Sequence, residues 1–340
     1  MTTDRISPPR PRCRSLMGVK IIGTGSYVPD AVVTNQHLKE RLGCDSDWII
    51  KRTGILERRH ALPHQATSDL CYEAAQRCLD NAGLTPSDID LILVATFTPD
   101  MDIPSTACLL QDRLKANCCA MEIQAACSGF VYALITGAAY VLSGASEMAL
   151  IVGGDCNTRV VNPHDVKTYP LFGDAAGAVL LTRGEPHQGL VSYSLGVDGG
   201  GGHLLSRPAC GSRLPPTSEL LEKGLHFMHM DGRAVFRWAV AILCDSIQDV
   251  LTASNLNPSD IDYYFPHQAN IRIINAAIDV LHIPRRKVRN NIEKYGNTSA
   301  ASIPLALDEA RAEQLIKPGQ KLVFSGFGAG LSWGTAIFRW

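Results

Sequence analysis

Three polar side chains in the sequence have the types needed for acyl-group chemistry, and each lies in a short run of small or apolar residues. Cys127 lies in QAACSGFVYAL, His267 in FPHQAN and Asn297 in YGNTSAAS. A thiol can act as a nucleophile, an imidazole can exchange a proton, and a carboxamide can only form neutral hydrogen bonds. The Cys/His pair alone suggests a hydrolase, an acyltransferase or a condensing enzyme, and the spacing does not choose between them.

The surroundings of Cys127 allow two interpretations. Free cysteine is among the most buried residue types, so a thiol among alanines and apolar residues is typical of a packed core. The alternative is a nucleophile at the start of a helix, where unpaired backbone N–H groups and the helix dipole favour the thiolate. Taken alone the run favours the core, whereas its combination with His267 and Asn297 favours the nucleophile.

An internal repeat connects the three side chains. The run LTPSDID at 84–90 returns as LNPSDID at 256–262, and the same offset pairs EMALIVGG at 147–154 with GQKLVFSG at 319–326. After a longer connection, FGDAAGAVLLTR at 172–183 resembles FGAGLSWGTAIFR at 327–339. The offset of 172 residues places Cys127 on Ser299, inside the run that contains Asn297. We therefore predict two similar halves, 17–185 with the nucleophilic Cys and 186–340 with the His and Asn.

Each half alternates helical patterns with short runs typical of strands. Helices are predicted over 67–82, 104–115, 128–143, 234–253, 270–281 and 300–315. Nearly all-apolar strands between helices indicate α/β layers with buried sheets. Ligands of such sheets gather at the carboxyl ends of the strands, so two duplicated sheets would bring these ends together near a shared centre.

The composition excludes several classes of protein. The chain has 340 residues, of which 46% are hydrophobic and 19% charged, enough to bury a large core. Its 32 basic and 33 acidic residues indicate neither a nucleic-acid nor a membrane partner. Eleven scattered cysteines without a C-x-x-C pair predict no metal site and fit reduced thiols in the cytoplasm.

Two segments imitate targeting or membrane signals. The segment from Ile123 to Ser146 has no charged residue and could cross a bilayer by length, but its polar and glycine residues favour a central buried helix. The first sixteen residues contain four Arg and three Pro and no apolar region, which excludes a secretory signal. We predict a disordered N-terminal extension over 1–16, or sequence upstream of a true start at Met17.

The residue sequences of the three motifs indicate a protein family more specifically than the types of their polar side chains do. AACSGFVYAL, PHQANIRII and YGNTSAAS closely resemble the Cys, His and Asn motifs of the β-ketoacyl-acyl-carrier-protein synthase III family of the thiolase superfamily. The resemblance extends from Met17 to Trp340 and includes WIIKRTGI, FGDAAGAVLL, GRAVF and the closing GFGAGLSWGTAIFRW. Related thiolases use a second Cys, other elongating synthases a second His, and hydroxymethylglutaryl-CoA synthase a Glu, none of which resembles Asn297.

This resemblance implies a fold and a reaction. The expected fold is α/β and thiolase-like, with two duplicated βαβαβαββ-type halves that form five αβαβα layers, in a cytoplasmic homodimer. The expected reaction is a decarboxylative condensation of a short acyl-CoA with malonyl-acyl-carrier protein, without a cofactor or metal. Cys127 would carry the acyl group, and His267 and Asn297 would donate hydrogen bonds to the malonyl thioester oxygen.

The resemblance also assigns residues that bind the substrates. The backbone N–H groups of Cys127 and Ala329 would hold the acyl oxygen, with Phe327 as an apolar gate. The other assignments are Trp48 and Arg52 for the adenine, Phe236 and Asn270 for the pantetheine, and Arg237 and Arg272 for the carrier protein, with Arg285, Arg286 and Lys287 as an extension of that basic surface. Where some relatives have an Arg before the T-x-x-x-F-G-D run, this chain has Val166 followed by Lys167.

Two alternatives remain open at this stage. A relative in specialised metabolism could use the same three residues with another primer, extender or acceptor, and Ile103 lies near the region that lines the primer pocket in the family. A catalytically inactive partner subunit of the same fold is the non-enzymatic alternative, against which the intact Cys/His/Asn set argues.

Overall fold

Two five-stranded mixed sheets form the framework of the protein, and the computed structural model describes residues 11–340. The first sheet has the order β2-β8-β7-β5-β6 and the second β1-β9-β14-β13-β12. The strands of the first sheet are β2 (Val19–Tyr27), β5 (Leu91–Ala95), β6 (Cys119–Ile123), β7 (Met148–Asp155) and β8 (Ala175–Arg183). Those of the second are β1 (Arg14–Met17), β9 (Gly189–Val197), β12 (Tyr263–Pro266), β13 (Lys321–Gly328) and β14 (Ser332–Arg339).

Two antiparallel two-stranded sheets and ten α-helices are the other regular elements of the described chain. The small sheets pair β3 (Ala31–Thr34) with β4 (Glu57–His60) and β10 (Leu205–Ser206) with β11 (His229–Met230). The helices are α1 (Asn35–Leu42), α2 (Ser46–Thr53), α3 (Thr67–Ala82), α4 (Thr106–Leu114), α5 (Gly129–Ser143), α6 (Ser218–Glu222), α7 (Gly232–Ala253), α8 (Ile271–Val280), α9 (Ile292–Tyr295) and α10 (Ser302–Ala312).

Three hydrophobic clusters arrange these elements in five layers. The central cluster holds α5 and α10 between the two sheets, with Phe130 and Leu307 packed among strand residues such as Leu93 and Phe324. Helices α3 and α4 cover the outer face of the first sheet, and α7 and α8 cover that of the second. Both sheets are therefore covered on two faces, which explains their nearly all-apolar strands and confirms the predicted αβαβα layers.

The predicted duplication is visible in the order of the elements. The first half runs β2-α3-β5-α4-β6-α5-β7-β8, and the second runs β9-α7-β12-α8-α9-α10-β13-β14. The repeated heptapeptide forms the same 3₁₀ turn twice, at Pro86–Asp88 and Pro258–Asp260. In each turn the third residue, Asp88 or Asp260, accepts the backbone N–H of the residue before the proline at 2.8 Å. Each turn thus satisfies its own backbone and leads the chain into a buried strand.

The helix that resembles a membrane span is the centre of the molecule. Among the described residues, Ala126–Ser143 has the length and hydropathy of such a span, yet 67% of it is buried inside the protein. It comprises α5 and the turn before it. Gly137 permits the close approach of α5 to the first sheet, because a Cβ there would lie 2.4 Å from the side chain of Ile151. The prediction of a buried central helix is confirmed.

The predicted N-terminal extension is too long. Residues 1–10 lie outside the described residues, but Arg14–Met17 form β1, which pairs antiparallel with β9. The Ser15 hydroxyl also donates to the carbonyl of Leu190 at 3.1 Å. The prediction of disorder is therefore wrong for residues 14–16, because their partner strand is distant in sequence and no local pattern reveals it.

Candidate active site

Cys127 lies in a single 3₁₀ turn, Ala126–Ser128, that leads directly into α5. Ala126 has a φ of 46°, in the left-handed region that non-glycine residues rarely adopt. The end of β13 approaches this turn closely, since a Cβ on Gly328 would lie 2.7 Å from the backbone nitrogen of Cys127. The glycine thus leaves room for the nucleophile and for the strand end beside it.

The second half has the same turn at Ser299–Ala301, directly before α10. Ser299 has a φ of 53°, so the two turns align Ser299 with Ala126 rather than with Cys127. The turns also touch, because the Ser299 hydroxyl donates to the Cys127 sulfur at 3.3 Å. The repeat therefore brings its two helix starts into direct contact.

A buried carboxylate lies beside these turns. Oδ1 of Asp155, at the end of β7, accepts the hydroxyl of Thr96 at 2.8 Å and the backbone N–H of Phe97 at 2.9 Å. Its Oδ2 accepts the backbone N–H of Ala300 at 3.2 Å. Burial raises the pKa of Asp155, and these hydrogen bonds oppose the rise.

The thiol of Cys127 is protonated in the resting site. Burial raises its pKa to about 12; the Asp155 charge adds to the rise, and the Ser299 hydrogen bond opposes it. The sequence predicted the opposite, a thiolate favoured by the start of a helix. That prediction is wrong in direction, because the desolvation of a buried anion outweighs the helix dipole here.

His267 follows β12, and its ring is fixed by buried partners. The backbone N–H of His267 donates to the carbonyl of Ser325 at 2.7 Å, and Nδ1 lies 2.8 Å from the Ser302 hydroxyl. The Phe327 ring meets the imidazole edge-on, with 5.1 Å between the ring centroids. Burial lowers the pKa of His267 to about 3, so the imidazole is neutral at physiological pH.

Asn297 follows α9 and is held by its backbone and its side chain. The isolated bridge to Phe172 fixes the backbone, through bonds to Leu171 and Gly173. Its Oδ1 accepts the backbone N–H of Ser299 at 2.9 Å, which fixes the orientation of the amide. Among residues 11–340 no side chain or backbone group bonds Nδ2, so both of its N–H groups are available to a substrate.

Ser299 is the residue that connects the three predicted catalytic side chains. Its hydroxyl bonds Cys127, its backbone N–H bonds Asn297, and its backbone also bonds the imidazole of His267. The structure therefore brings the predicted triad together around one residue. Sequence reasoning did not assign roles to Ser299, Ser302 or Asp155, although both serines lie in the quoted YGNTSAAS run.

The loop after β13 carries the predicted gate and oxyanion residues. Phe327 is buried between His267 and Trp238, whose ring centroid is 6.3 Å away. The Ala329 carbonyl accepts the Ser332 hydroxyl at 2.9 Å, and that hydroxyl lies 2.8 Å from the Ser128 hydroxyl. Ala329 is therefore tied to the turn that contains the nucleophile.

The predicted adenine residues do not line one cavity. Trp48 borders a cavity of about 270 Å³ that is also lined by Val166 and Lys167, whereas Arg52 is exposed on the same helix and is not part of this lining. Trp48 is 40% exposed, so part of this residue is accessible to a ligand. Val166 and Lys167, which the sequence analysis singled out, thus line the same cavity as Trp48.

The predicted pantetheine and carrier residues lie on the neighbouring helices α7 and α8. Phe236 is half-buried on α7, and the exposed Arg272 guanidinium stacks 5.6 Å from its ring centroid. Asn270 caps α8 by accepting the backbone N–H of Arg272 at 2.8 Å. Arg237 is exposed beside Phe236. No cluster of His, Cys, Asp or Glu suited to a metal ion occurs among residues 11–340.

Comparisons with known proteins agree with this geometry. Residues 121–199 match the family described as 3-oxoacyl-[acyl-carrier-protein (ACP)] synthase III, and residues 251–340 match its C-terminal domain. A beta-ketoacyl-[acyl-carrier-protein] synthase III from Rhodopirellula baltica is 53% identical over 96% of this chain and 99% of its own length.

Solved structures show the same architecture. A crystal structure of 3-oxoacyl-[acyl-carrier-protein] synthase III from Aquifex aeolicus has a TM-score of 0.88 at 40% identity and covers 95% of this chain and 100% of its own. The priming beta-ketosynthase of the R1128 polyketide pathway has a TM-score of 0.87 at 33% identity, covering 97% of each chain.

The five layers and the cysteine-centred site define a condensing enzyme of the thiolase fold, an acyltransferase. The sequence matches narrow the assignment further. The chain belongs to the 3-oxoacyl-[acyl-carrier-protein] synthase III family.

Proposed function

We propose that the protein condenses a short acyl-CoA, acetyl-CoA in the first instance, with malonyl-acyl-carrier protein and so starts type II fatty-acid synthesis. The observation that carries the proposal is the convergence of Cys127, His267 and Asn297 on Ser299. Relatives that carry this enzyme name are similar over nearly the whole chain, which supports the same substrates.

The first half-reaction transfers the acyl group to Cys127. The sulfur attacks the thioester carbonyl, a new S–C bond forms, and the bond to the CoA sulfur breaks. The thiol proton of Cys127 ends on the departing CoA thiol, so the step is balanced. The backbone N–H groups of Cys127 and Ala329 stabilise the charge on the acyl oxygen in the transition state.

The second half-reaction uses the two donors of the C-terminal half. Malonyl-carrier protein loses CO₂, and the electron pair of the broken C–C bond forms an enolate-like carbanion. His267 and Asn297 donate hydrogen bonds to the thioester oxygen where this charge develops. The carbanion then attacks the acyl carbon on Cys127, a C–C bond forms, and the C–S bond breaks to release the Cys127 thiolate, which takes one proton from solvent to restore the resting thiol. A neutral imidazole suits this role because decarboxylation, not removal of a proton, generates the nucleophile.

The proposed function assigns separate groups of residues to the nucleotide, the pantetheine and the carrier protein. The adenine stacks on Trp48 in the cavity that Val166 and Lys167 also line, where the Lys167 ammonium supplies a positive charge for the nucleotide phosphates. Arg52 contacts the nucleotide from α2, and Phe236 and Asn270 line the pantetheine path. Other contacts are assigned to the acidic carrier protein, which meets the exposed Arg237 and Arg272.

The assembly is a homodimer in the cytoplasm that needs no cofactor, since the CoA thioester is a substrate. Strand β6 is an edge of the first sheet, with one side unpaired among the described residues. Edge strands of this kind are covered in most native proteins, and a second copy paired along β6 would cover this one.

Radiolabelled acetyl-CoA followed by malonyl-carrier protein tests the proposal. The label is expected first on Cys127 of the wild-type protein and then in acetoacetyl-carrier protein. Cys127→Ala should abolish labelling and condensation completely, because it removes the acyl acceptor, while the control Cys244→Ala on α7 should label normally. An unlabelled wild-type protein would reject the proposal, and labelling without carrier-dependent condensation would favour a specialised-metabolism enzyme with another acceptor.

A further inference from the structure

Arg58, on β4, is the largest of the fully buried side chains among residues 11–340, with 0% of its surface exposed. Arginine is almost never fully buried unless partners compensate its charge. Burial lowers the pKa of Arg58 to about 10, so the guanidinium stays charged at physiological pH. Within the described part of the chain no carboxylate forms an ion pair with it, although its neighbour Arg59 pairs with Glu57. Neutral acceptors must therefore compensate the charge.

Three oxygen atoms from two segments of the chain accept hydrogen bonds from this guanidinium. Nη2 donates to Oδ1 of Asn35 at 2.8 Å and to the carbonyl of Pro170 at 2.7 Å, and Nη1 donates to the carbonyl of Val33 at 3.0 Å. Val33 and Asn35 lie where β3 passes into α1. Pro170 lies in the 3₁₀ turn Tyr169–Leu171. The planar fork thus holds this turn against the start of α1, a geometry that a lysine ammonium does not reproduce.

The turn that Arg58 holds belongs to the segment to which the backbone of Asn297 is bonded. The N–H of Asn297 donates to the carbonyl of Leu171 at 2.8 Å, and the N–H of Gly173 donates to the carbonyl of Asn297 at 3.0 Å. Pro170, whose carbonyl accepts from Arg58, directly precedes Leu171. The guanidinium therefore acts one residue away from a bond that fixes the backbone of Asn297.

The aliphatic stem of Arg58 lies beside two glycines that adjoin Asn297. A Cβ on Gly173 would lie 3.2 Å from the Arg58 Cβ, and a Cβ on Gly296 would lie 3.4 Å from it. Gly296 directly precedes Asn297 and has a φ of 67°, which favours glycine. An apolar side chain of similar length could fill the space of the stem, but it would leave the buried Pro170 carbonyl without its donor. The position therefore uses both the stem and the donors of an arginine.

We propose that Arg58 is a positioning residue that fixes the segment 170–173 and thereby orients the Asn297 amide toward the substrate. This inference rests on the proposed function, in which that amide donates to the malonyl thioester oxygen. The amide is oriented only while its Oδ1 accepts the N–H of Ser299, and this bond requires the backbone of Asn297 to be in place. Acyl transfer does not depend on Arg58, because that step uses the Cys127 thiol and backbone N–H groups to which the guanidinium is not bonded among the described residues.

Arg58→Met and Arg58→Lys test this role when both half-reactions are measured on the same protein. The rate of malonyl-carrier-protein decarboxylation is divided by the amount of Cys127 that acetyl-CoA can label, so that unfolded protein does not count. For Arg58→Met this kcat is expected to fall about 100-fold with KM unchanged, the effect of a small displacement of a preorganised donor. Arg58→Lys keeps the charge and one donor group and should lose about tenfold. Both variants should acetylate Cys127 at the wild-type rate.

Arg311, near the end of α10, provides the matched control. It is partly buried, and its Nη2 donates to the carbonyl of Ile22 at 3.1 Å. Arg311→Met removes a bond of the same kind without changing the contacts of the segment 170–173, so both half-reactions should keep their wild-type rates. A wild-type rate of decarboxylation per labelled Cys127 in either Arg58 variant would overturn the inference. An equal loss of the acetylation and decarboxylation rates would also overturn it.

Selective ¹⁵N labelling of asparagine observes the placement of Asn297 without relying on activity. Asn297→Ala assigns the backbone and side-chain NMR signals of this residue in the wild-type spectrum. Both signals should shift in Arg58→Met and Arg58→Lys and stay in place in Arg311→Met. Unshifted signals in the Arg58 variants would overturn the inference even if the enzyme condenses normally. A wild-type protein that is not acetylated at Cys127 would instead reject the proposed function, and the same signals would still decide whether Arg58 positions Asn297.

Discussion

The two halves of the chain share one plan but differ most in the segment before their equivalent 3₁₀ turns. In the first half this segment is strand β6, paired parallel with β5 at the edge of its sheet. In the second half the same repeat position is helix α9, and only an isolated bridge between Tyr264 and Val288 remains at the edge of β12. The second sheet regains a fifth strand at its opposite edge, where β1 pairs with β9.

The difference between the segments before the two turns determines which side chain each half contributes to the site. In the first half, the strand before the turn has one side unpaired among residues 11–340, and it leads into an apolar turn that contains the thiol of Cys127. The helix in the second half ends at Gly296, and the chain then runs beside Leu171 and Gly173, which places the Asn297 amide at the site. The two helix starts are therefore in contact, and the function proposed above assigns the nucleophile to the first and the hydrogen-bond donors to the second.

Asn297→Ala in the second half should have the largest effect on one half-reaction while leaving the other unchanged. It removes a fixed amide donor from the thioester oxygen, so malonyl-carrier-protein decarboxylation should fall roughly 10²- to 10³-fold. Acetylation of Cys127 should be nearly unchanged, because that step uses the Cys127 thiol and the backbone N–H groups of Cys127 and Ala329 rather than the Asn297 amide. Radiolabelled CO₂ release and protein labelling measure the two steps separately.

The control for Asn297→Ala is Asn81→Ala on α3, whose amide bonds only the Thr24 carbonyl among the described residues, at 2.9 Å. It should retain both activities. His267→Ala should match Asn297→Ala, since both donors act on the same oxygen. Normal decarboxylation in either of the two catalytic-site variants would show that the second half does not have the role assigned to it.

The repeat and the local patterns predicted much of this fold, because they depend on residues close in sequence. Helix α3 was predicted with its observed bounds, and the two heptapeptide turns contain their own caps. The replacement of β6 by α9 was not predictable, since the choice depends on packing against Phe172 and its neighbours rather than on the segment itself. For the same reason β1 was missed: its pairing partner β9 lies in the other half.

The candidate site likewise has features that the sequence predicted and features that it did not. The three side chains proposed as catalytic were identified from their motifs, but the raised pKa of the Cys127 thiol was not predicted, because burial and the charge of Asp155 appear only after folding. The contact between Ser302 and His267 likewise joins segments that no spacing rule connects. Residue types were predictable from the sequence, whereas side-chain contacts and pKa directions required the packed structure.

Gly25 and Val197 occupy equivalent positions in the two halves, because they are separated by the repeat offset of 172 residues. Substitutions at these two positions therefore compare how tightly the two halves are packed. A Cβ on Gly25 would lie 2.3 Å from the backbone nitrogen of Cys78 in α3, whereas Val197 is 63% exposed. Gly25→Ala should therefore lower the free energy of unfolding by about 3 kcal/mol, the upper range for overpacking. Val197→Ala should change it by about 0.5 kcal/mol or less.

Urea denaturation monitored by circular dichroism measures this pair, with unchanged m-values as the condition for comparing midpoints. A similar midpoint for both variants would show that β2 and β9 pack against their helices with equal tightness. That result would contradict the asymmetry between the halves at this position.

Ser299→Ala tests the direct contact between the two turns and has the smallest expected effect. The Ser299 hydroxyl stabilises the Cys127 thiolate, so its loss should raise the thiol pKa further and slow alkylation by iodoacetamide up to about tenfold. In the wild-type protein the rate should rise with pH from 7 to 10 without a plateau, because a pKa of about 12 leaves the thiol mostly protonated throughout.

The matched control is Ser302→Ala, which removes a neighbouring hydroxyl that bonds His267 instead of the sulfur. Cys127 in this variant should be alkylated at the wild-type rate, because alkylation depends on the thiol and not on the imidazole. A plateau below pH 9 in the wild-type protein would mean that the start of α5 outweighs burial after all. An unaltered rate of alkylation in Ser299→Ala would mean that the Ser299 hydroxyl contacts the Cys127 sulfur without changing the pKa of the thiol.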